Sequence, residues 1–537
     1  MAPAPDQALV MARDAETAVG RPNRLAILLS MAMFVLVVDT SLMNVSISAV
    51  VRDLDTTASR VQSAIALEAL VSAAFILIGG KVGDLIGRKR AYVLGLLGYA
   101  VGALAMTVSH SLAPIVVCWA LIGGIGASLL LPAMQSLIHG NFEGRAQTKV
   151  YAMVGAAAAI AAAVGPLLGG FITTFLSWRV GFALEAVIIA VVLSGIGLIQ
   201  NVEYTGPRQI DLVGAVLSVV GMGGVVLGIL VWQEGGDRVF ALIGLGLVAL
   251  AGLAYWLVRR KRANRPALLD PALFDSGLFR AGITGQLLQQ ITLGGIMIAL
   301  PIYLQMVLEY NALQAGLSLA PLSLTMFAVA LLAGRRAGKR RPAVIIRTGF
   351  LLLSLGTAAL IPLVPLAGFG WQLLIPLAVA GAGLGLLVSQ LNNYTLSPVE
   401  EERVSEAAAV NSAGGSFGLS FGLAFAGAIM LATLSLSFTT LADRSTVLDP
   451  GEKQEVAHAL EQNAEVMTNE HLDTLLEGRS PEVHDEIIRI NTEARPVALQ
   501  TALIIPLLAA LLGLLNALRM TRLPDPRPSS GDSNLLG

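Results

Sequence analysis

The chain has 537 residues, of which 55% are hydrophobic and 13% are charged, and its formal net charge is −1. A soluble domain carries about 25% charged residues, so the composition excludes a soluble domain and predicts an integral membrane protein. The near-neutral charge predicts no nucleic-acid partner. Cys118 is the single cysteine, which excludes an intramolecular disulfide and a cysteine-based metal site.

Long apolar stretches predict the number of membrane spans. A helix needs about 20 mostly apolar residues to cross a bilayer. The 14 stretches of this kind lie near 25–50, 62–80, 91–109, 112–138, 148–176, 180–200, 210–232, 239–258, 280–308, 313–333, 343–366, 371–397, 404–438 and 496–520. Residues 1–20 lack the short apolar core of a signal peptide, so we expect the first span itself to direct insertion into the lipid bilayer.

The basic residues predict the orientation of these spans. They concentrate in alternate connections, for example 88–90, 259–262 and 335–341. The positive-inside rule then predicts that these connections and both termini are cytoplasmic, in a multi-pass protein of the cell (cytoplasmic/inner) membrane. The acidic segment 440–495 is expected outside. It is interpreted as a solvated cap, or alternatively as a lid or docking surface for an extracytoplasmic partner.

A short glycine-rich and basic loop lies between the second and third spans. Residues 79–90 read GGKVGDLIGRKR; the glycines allow two helix ends to approach closely, and the cations anchor that end at the membrane face. The pattern resembles the corresponding loop of the major facilitator superfamily. The resemblance implies a conformational gate made by Gly80, Asp84, Gly87, Arg88, Lys89 and Arg90.

A glycine-rich fifth span carries a second motif. Small residues at four-residue spacing let helices pack backbone to backbone, and a proline bends the helix. The ending Gly-Pro-x-x-Gly-Gly resembles the motif that marks antiporters within the superfamily, with generic tight packing as the alternative. The motif residues are Gly155, Gly165, Pro166, Gly169 and Gly170.

Acidic residues within spans are the candidates for proton coupling. Segment 38–45 reads VDTSLMNV and resembles the first-span signature of the fourteen-span drug:proton antiporters. A carboxylate such as Asp39 in an apolar span is costly and functional by default. The alternative for Asp39 is a structural carboxylate satisfied by Thr40, Ser41 or a neighbouring helix. Glu68 and Glu185 are further candidates because they are carboxylates within spans, at positions where that family usually has tyrosine and asparagine. One departure is Ala120, which occupies the position of the usual fourth-span arginine.

An internal repeat predicts two six-span halves. The basic loop recurs more weakly at 334–341, and a glycine-rich segment follows each copy: Gly165 follows Asp84 by 81 residues, and Gly418 follows Gly338 by 80. Transporters are commonly built from such repeats. The predicted organisation is a tail at 1–24, a six-helix bundle at 25–200, an inserted helix pair and linker at 201–279, a second bundle at 280–520 that includes the 440–495 loop, and a tail at 521–537.

Amide side chains in the second half predict a substrate cavity. Amides within a membrane need partners from other helices, water or a ligand; the alternative is interhelical bonding alone. The candidates are Gln286, Gln289, Gln290, Gln390, Asn392, Asn393 and Asn411. No phosphate loop, metal-binding motif or cofactor motif occurs.

The predicted fold is an all-α major facilitator fold with two six-helix bundles and two inserted helices. The resemblance implies a proton-coupled efflux antiporter, not an enzyme, that exports lipophilic or cationic small molecules in exchange for protons. The alternatives are an exporter of an endogenous metabolite, lipid or siderophore, and a non-transporting membrane scaffold or sensor.

Overall fold

The computed structural model describes residues 5–201, 211–233, 238–263, 265–335, 340–400, 403–449 and 480–524, with five isolated residues between 453 and 476. Within these ranges 14 helices are long and apolar enough to span a membrane, which confirms the predicted number. The helices are α1 Pro5–Val45, α2 Ala58–Ile86, α3 Arg88–Val108, α4 Leu112–Asn141, α5 Gly144–Phe175, α6 Trp178–Ser194, α7 Leu212–Gln233, α8 Val239–Arg262, α9 Gly277–Ile302, α10 Ala312–Arg335, α11 Pro342–Leu363, α12 Leu374–Leu396, α13 Val404–Arg444 and α14 Pro481–Met520.

Because the spans alternate in direction, the two sides of the protein can be named from its connections. We call the side with residues 87–90 and the end of α14 the terminal face. The opposite side, where α13 ends and α14 begins, is the loop face. Residues 440–444 and 481–495 of the predicted 440–495 loop are helical and continue α13 and α14. Most of the remainder of that segment lies outside the described residues.

Glycines set the packing within each bundle in the same way. A Cβ on Gly165 of α5 would lie 2.6 Å from Ser41 Cβ of α1. In the second bundle a Cβ on Gly418 of α13 would lie 2.6 Å from the Leu287 carbonyl oxygen of α9. The fifth helix of each bundle therefore packs closely on the first, as two copies of one repeat would. Residues 336–339 of the weaker basic loop, which include Gly338, lie outside the described residues.

The two bundles are joined near the loop face. Gln305 Oε1 accepts hydrogen bonds from Ser48 Oγ at 2.7 Å and from Ser48 N at 3.1 Å. The Leu313 N–H donates to Thr174 Oγ1 at 3.0 Å. A Cβ on Gly170 of α5 would lie 2.5 Å from the carbonyl oxygen at the start of α10. These contacts close the loop-face end of the interface between the bundles.

One buried carboxylate, that of Asp211, connects the two inserted helices α7 and α8 to each other and to the linker that follows them. Asp211 accepts hydrogen bonds from Trp256 Nε1 at 3.0 and 3.1 Å and from the backbone of Gly214 and Leu268. Arg260 lies 3.4 Å from the same carboxylate. Asp211 thus ties the start of α7, the end of α8 and the following linker together, and its negative charge is satisfied there.

Contacts from α7 reach both bundles. It packs on α2 of the first bundle and α13 of the second, and the rings of Trp232 and Phe425 are 6.5 Å apart. Val226 in the middle of α7 is fully buried. In contrast, α8 is largely exposed on its outer side, as expected of a helix that faces lipid.

Candidate functional site

Three carboxyl groups converge near the loop-face half of the first bundle. Asp39 comes from α1, Glu68 from α2 and Glu185 from α6. Asp39 and Glu185 are 1% and 3% exposed, whereas Glu68 is half-buried. The sequence identified each of these acids separately, and the structure brings all three together around the side chain of Tyr99. We call these three carboxyls the acid cluster.

Two aromatic side chains hold the Asp39 carboxylate. The Tyr99 hydroxyl of α3 donates a hydrogen bond to Oδ2. The Trp119 indole N–H of α4 donates to both oxygens, at 3.2 Å from Oδ1 and 3.1 Å from Oδ2. Buried carboxylates require such donors because an unpaired one in an apolar medium costs several kcal/mol.

Glu185 lacks comparable donors. Its carboxyl lies beside that of Asp39, and its two oxygens have no other hydrogen-bond partner among the described residues. None of the ion pairs between described residues involves Asp39, Glu68 or Glu185. Two adjacent carboxylates repel each other unless they share a proton. The pair therefore has the chemistry of a proton-binding site.

In the fourth span, a hydrogen-bond donor next to Ala120 contacts Asp39, although the usual arginine is absent. Ala120 is fully buried within a π-helical turn, Ile115–Gly123, and its neighbour Trp119 points an N–H at Asp39. Such turns are frequent at functional sites because they rotate side chains out of the regular α-helical register. A neutral donor on the adjacent residue thus contacts Asp39, while the position at which the resembled family usually has an arginine is alanine.

Two glycines of the fourth span, Gly124 and Gly126, allow the helices around the acid cluster to pack closely. A Cβ on Gly124 would lie 2.9 Å from the Glu68 carbonyl oxygen, and one on Gly126 would lie 2.9 Å from the Tyr99 nitrogen. Because only glycine permits such approach, α2 and α3 both pack directly on α4. The acid of α2 and the hydroxyl of α3 are thereby brought beside Trp119.

An aromatic column leads from the acid cluster to the loop face. Phe182 lies edge-on to Trp119 at 6.5 Å and to Trp178 at 6.1 Å. The Trp178 indole N–H donates to Asp53, which also pairs with Arg179. In this conformation the column covers the acid cluster on the loop-face side.

The basic loop forms its contacts within the first bundle. Asp84 and Arg88 are both buried and form an ion pair, and Arg88 also donates to the Gly80 carbonyl at 3.2 Å. Gly87 adopts a φ of 97°, which favours glycine. Lys89 Nζ donates to the carbonyl oxygen of Ile199 at 2.8 Å, beyond α6. Arg90 is exposed.

The motif glycines of α5 divide into three environments. Gly165 and Gly169 face α1, with Gly169 near the backbone of Leu42. Gly170 faces α10, and the carbonyl oxygen of Pro166 is approached by Gly316 of that helix. Gly155 has open space where its Cβ would be. The α5 motif therefore packs between α1 and the second bundle, next to the helix that carries Asp39.

The amide residues lie on α9, α12 and α13 of the second bundle, on different helices from the acid cluster. Asn411 Nδ2 donates to Asn392 Oδ1 at 3.0 Å, near the terminal face, and Asn393 is exposed beside it. Gln286 and Gln290 border Gly415 and Gly418.

Two further amides of this set are almost fully buried. Gln289 is 3% exposed and Gln390 is 4% exposed. The Gln289 Oε1 atom has no hydrogen-bond partner among the described residues.

Tyr99 and Trp119 were not among the site residues predicted from the sequence. A signal was present, because a tyrosine or tryptophan deep in an apolar span needs a partner for its polar atom. Tyr99 and Trp119, on two neighbouring spans, each have one polar hydrogen to donate, and Asp39 on a third span can accept both.

Comparison with known proteins identifies the family. The model of the Major Facilitator Superfamily matches residues 29–212 and 203–423. The puromycin resistance protein pur8 of Streptomyces alboniger is 30% identical over 77% of this chain and 82% of its own length. A probable actinorhodin transporter of Streptomyces coelicolor is 24% identical over 70% of this chain and 66% of its own length.

A solved structure shares the fold. A bacterial homologue of the human lysosomal transporter Spinster, in an inward-facing and unoccupied conformation, has a TM-score of 0.62. It is 10% identical, and the match covers 95% of this chain and 99% of that one. The chain therefore belongs to the major facilitator superfamily and is similar to its drug-efflux members.

Proposed function

We propose that this protein is a proton-coupled antiporter that exports lipophilic or cationic small molecules. The observation that carries the proposal is the acid cluster, with one carboxylate held by two neutral donors and a second that lies beside the first and has no other hydrogen-bond partner among the described residues. Intramembrane carboxyls without cations are expensive, and they mark proton or cation pathways.

The acid cluster would couple proton entry to substrate export by binding either a proton or a cationic substrate, but not both at once. Glu68 is half-buried as a residue, whereas Asp39 and Glu185 are almost fully buried. A cationic substrate and a proton then compete for the same negative charge. A proton that enters down the membrane potential gains about 2.3 kcal/mol per 100 mV, which is enough to drive uphill export.

The proposed orientation places the terminal face in the cytoplasm. It follows from the basic residues at 88–90 and 259–262 and the positive-inside rule, with the chain in the cell membrane. The closed loop face would then be the outer side, and the described conformation would load substrate from within.

The substrate class is supported by relatives that are named for puromycin resistance and for actinorhodin transport. The second of these names favours another candidate, the export of an endogenous metabolite, lipid or siderophore. Ala120 in place of the usual arginine also favours the export of an endogenous compound. A non-transporting scaffold is disfavoured, because it has no use for costly buried acids.

Coupled transport in proteoliposomes tests the proposal. The purified protein is reconstituted with a pH-sensitive dye inside, and dyes, drugs, lipids and siderophores are added outside in turn. A true substrate should drive proton movement in the opposite direction. The Asp39→Asn variant should accumulate normally in the membrane and show no coupled proton movement.

Substrate movement without any proton flux would contradict the antiporter mechanism. A response confined to lipids or siderophores would favour the second candidate. If no compound on the panel moves, although the protein is correctly folded, the transport proposal itself is wrong.

A further inference from the structure

The last turn of α8 carries four consecutive cations that have two different roles. Arg260 lies 3.4 Å from the buried carboxylate of Asp211, and Lys261 pairs with an aspartate of the linker that follows. Arg259 and Arg262 are exposed, and neither forms an ion pair with another described residue. The helix thus uses two cations for contacts within the protein and presents two on its outer side.

The two outer cations end an exposed stripe along α8, which we call the α8 stripe. It consists of Val248, Ala251, Tyr255, Arg259 and Arg262, which follow one another at intervals of three or four residues and are all exposed. Such spacing places side chains on one face of a helix. Because α8 packs on α7 with its other side, the α8 stripe faces lipid in a membrane.

The length of the α8 stripe matches one leaflet of a bilayer. Arg259 follows Val248 by 11 residues, which corresponds to about 16 Å of helix. The hydrocarbon of a bilayer is about 30 Å thick, so one leaflet contributes roughly half of that. An acyl chain that lies along the stripe therefore brings its phosphate to the level of Arg259 and Arg262. Tyr255 lies one turn before them, at the depth where aromatic side chains are typical of a membrane interface.

The chemistry of the two outer cations suits a phosphate. Guanidinium groups bind phosphate through paired, charge-assisted hydrogen bonds. Arg259 and Arg262 are neighbours on the helix surface because they are three residues apart, so one phosphate can contact both. A cation near the membrane surface favours an anionic lipid about fivefold, whereas the choline group of a zwitterionic lipid is repelled by the same guanidiniums.

We propose that the α8 stripe binds an anionic glycerophospholipid of the leaflet at the terminal face, with the phosphate on Arg259 and Arg262 and an acyl chain along Val248 and Ala251. The contact of Arg260 with Asp211 fixes the same helical turn to the protein. The lipid is therefore held by a rigid element and is retained when the bulk lipid is removed. This proposal is independent of proton coupling, since lipid binding requires neither a gradient nor a transported substrate.

Native mass spectrometry of the full chain in a mild non-ionic detergent tests this proposal. The protein is titrated with phosphatidylglycerol and, separately, with phosphatidylcholine that has the same acyl chains. We expect phosphatidylglycerol to bind about tenfold more tightly or better, because two cations face its phosphate. The double variant Arg259→Gln/Arg262→Gln should lose this preference.

Two matched controls come from the same helix. Lys261→Gln removes a cation of the same run, but Lys261 pairs with Asp275. Arg238→Gln removes an exposed cation at the opposite end of α8. Both variants should keep the preference for phosphatidylglycerol. An equal loss in Lys261→Gln or Arg238→Gln would show a general effect of net charge and would overturn the site.

Two further measurements keep the test decisive if the double variant does not accumulate. Tyr255 is 68% exposed, so Tyr255→Glu places a negative charge beside the phosphate without disturbing packing and should abolish the preference, whereas Tyr255→Phe should retain it. Glycerol phosphate, which has no acyl chain, should not displace the lipid, and its displacement of the lipid would contradict a lipid site. Equal binding of the two lipids by the wild-type chain, or a preference that survives Tyr255→Glu, would also contradict the proposal.

Discussion

The Trp119 indole nitrogen lies 3.1 Å from Asp39 Oδ2 and 3.2 Å from Oδ1, and so a neutral donor from the fourth span holds the carboxylate of the first. The adjacent residue, Ala120, occupies the place of a cation in related antiporters. A neutral donor stabilises the charged carboxylate without cancelling its charge. Whenever Asp39 is ionised, its charge therefore stays available to a proton or a cationic substrate.

Replacing the indole tests this contact. Trp119→Phe keeps an aromatic ring but removes the N–H, and we expect gradient-driven efflux to fall about tenfold, as for the loss of one hydrogen bond to a charged group. Trp178→Phe is the matched control, because its N–H donates to Asp53 at the loop face. Equal losses in the two variants, measured by efflux from vesicles, would assign Trp119 a packing role only.

Glu68 is expected to titrate during substrate exchange. Glu68→Gln should flatten the pH dependence of transport and weaken cationic substrates more than neutral ones, because a carboxyl within an apolar span that lies near Asp39 is expected to exchange a proton. Transport is measured against pH together with the amount of protein in the membrane. Wild-type pH dependence at normal yield would leave Asp39 and Glu185 as the coupling candidates.

The ion pair of the basic loop is expected to govern conformational cycling. Asp84→Ala should slow transport while substrate affinity changes by less than about twofold, since the loop lies at the terminal face and away from the acid cluster. Arg88→Ala should cause a similar loss, and the double variant should be no worse than either single one because they share one contact. Separate equilibrium binding and turnover measurements decide this, and a collapse of affinity with normal turnover contradicts it.

The glycines of α5 offer an internal comparison. Gly165→Ala should destabilise the protein by about 1–3 kcal/mol, because its methyl group would overlap Ser41 in a packed interface. Gly155→Ala is the control, since nothing lies within 4 Å of the added atom. Thermal unfolding in detergent should separate the two variants. Equal unfolding temperatures would show that α1 and α5 can move apart at little cost.

The orientation can be measured by cysteine labelling. Thr446, which follows the end of α13, is exposed. In a Cys118→Ala background, the Thr446→Cys variant should therefore react with an impermeant maleimide on intact cells. Arg522→Cys, beyond the end of α14, should react only after permeabilisation. The reverse pattern would invert the proposed topology.

Span number and fold were predictable, because hydropathy and short basic connections depend on local sequence alone. The acids Asp39, Glu68 and Glu185 were also visible as charges in apolar helices. Their convergence was not, since it depends on how each helix is rotated about its axis and how closely the helices approach. The π-helical turn at Ile115–Gly123 changes that rotation at Trp119, and no spacing rule reveals it.

The long final helix was only partly predicted. Hydropathy placed the last span at 496–520, but α14 begins at Pro481. The added turns carry Arg489, which pairs with both Glu486 and Glu493, and so they are too polar for a hydropathy criterion. Their buried side, with Ile487 and Ile490, packs against protein rather than lipid.

The position of α7 has a consequence for alternating access. This helix lies across α2 and α13, and it touches both bundles along the line where they meet. In a transport cycle in which the bundles rock apart, we expect the gap between α2 and α13 to widen beneath this helix. The helix would then keep acyl chains out of the gap, so that a hydrated pathway could open beside the hydrocarbon of the bilayer.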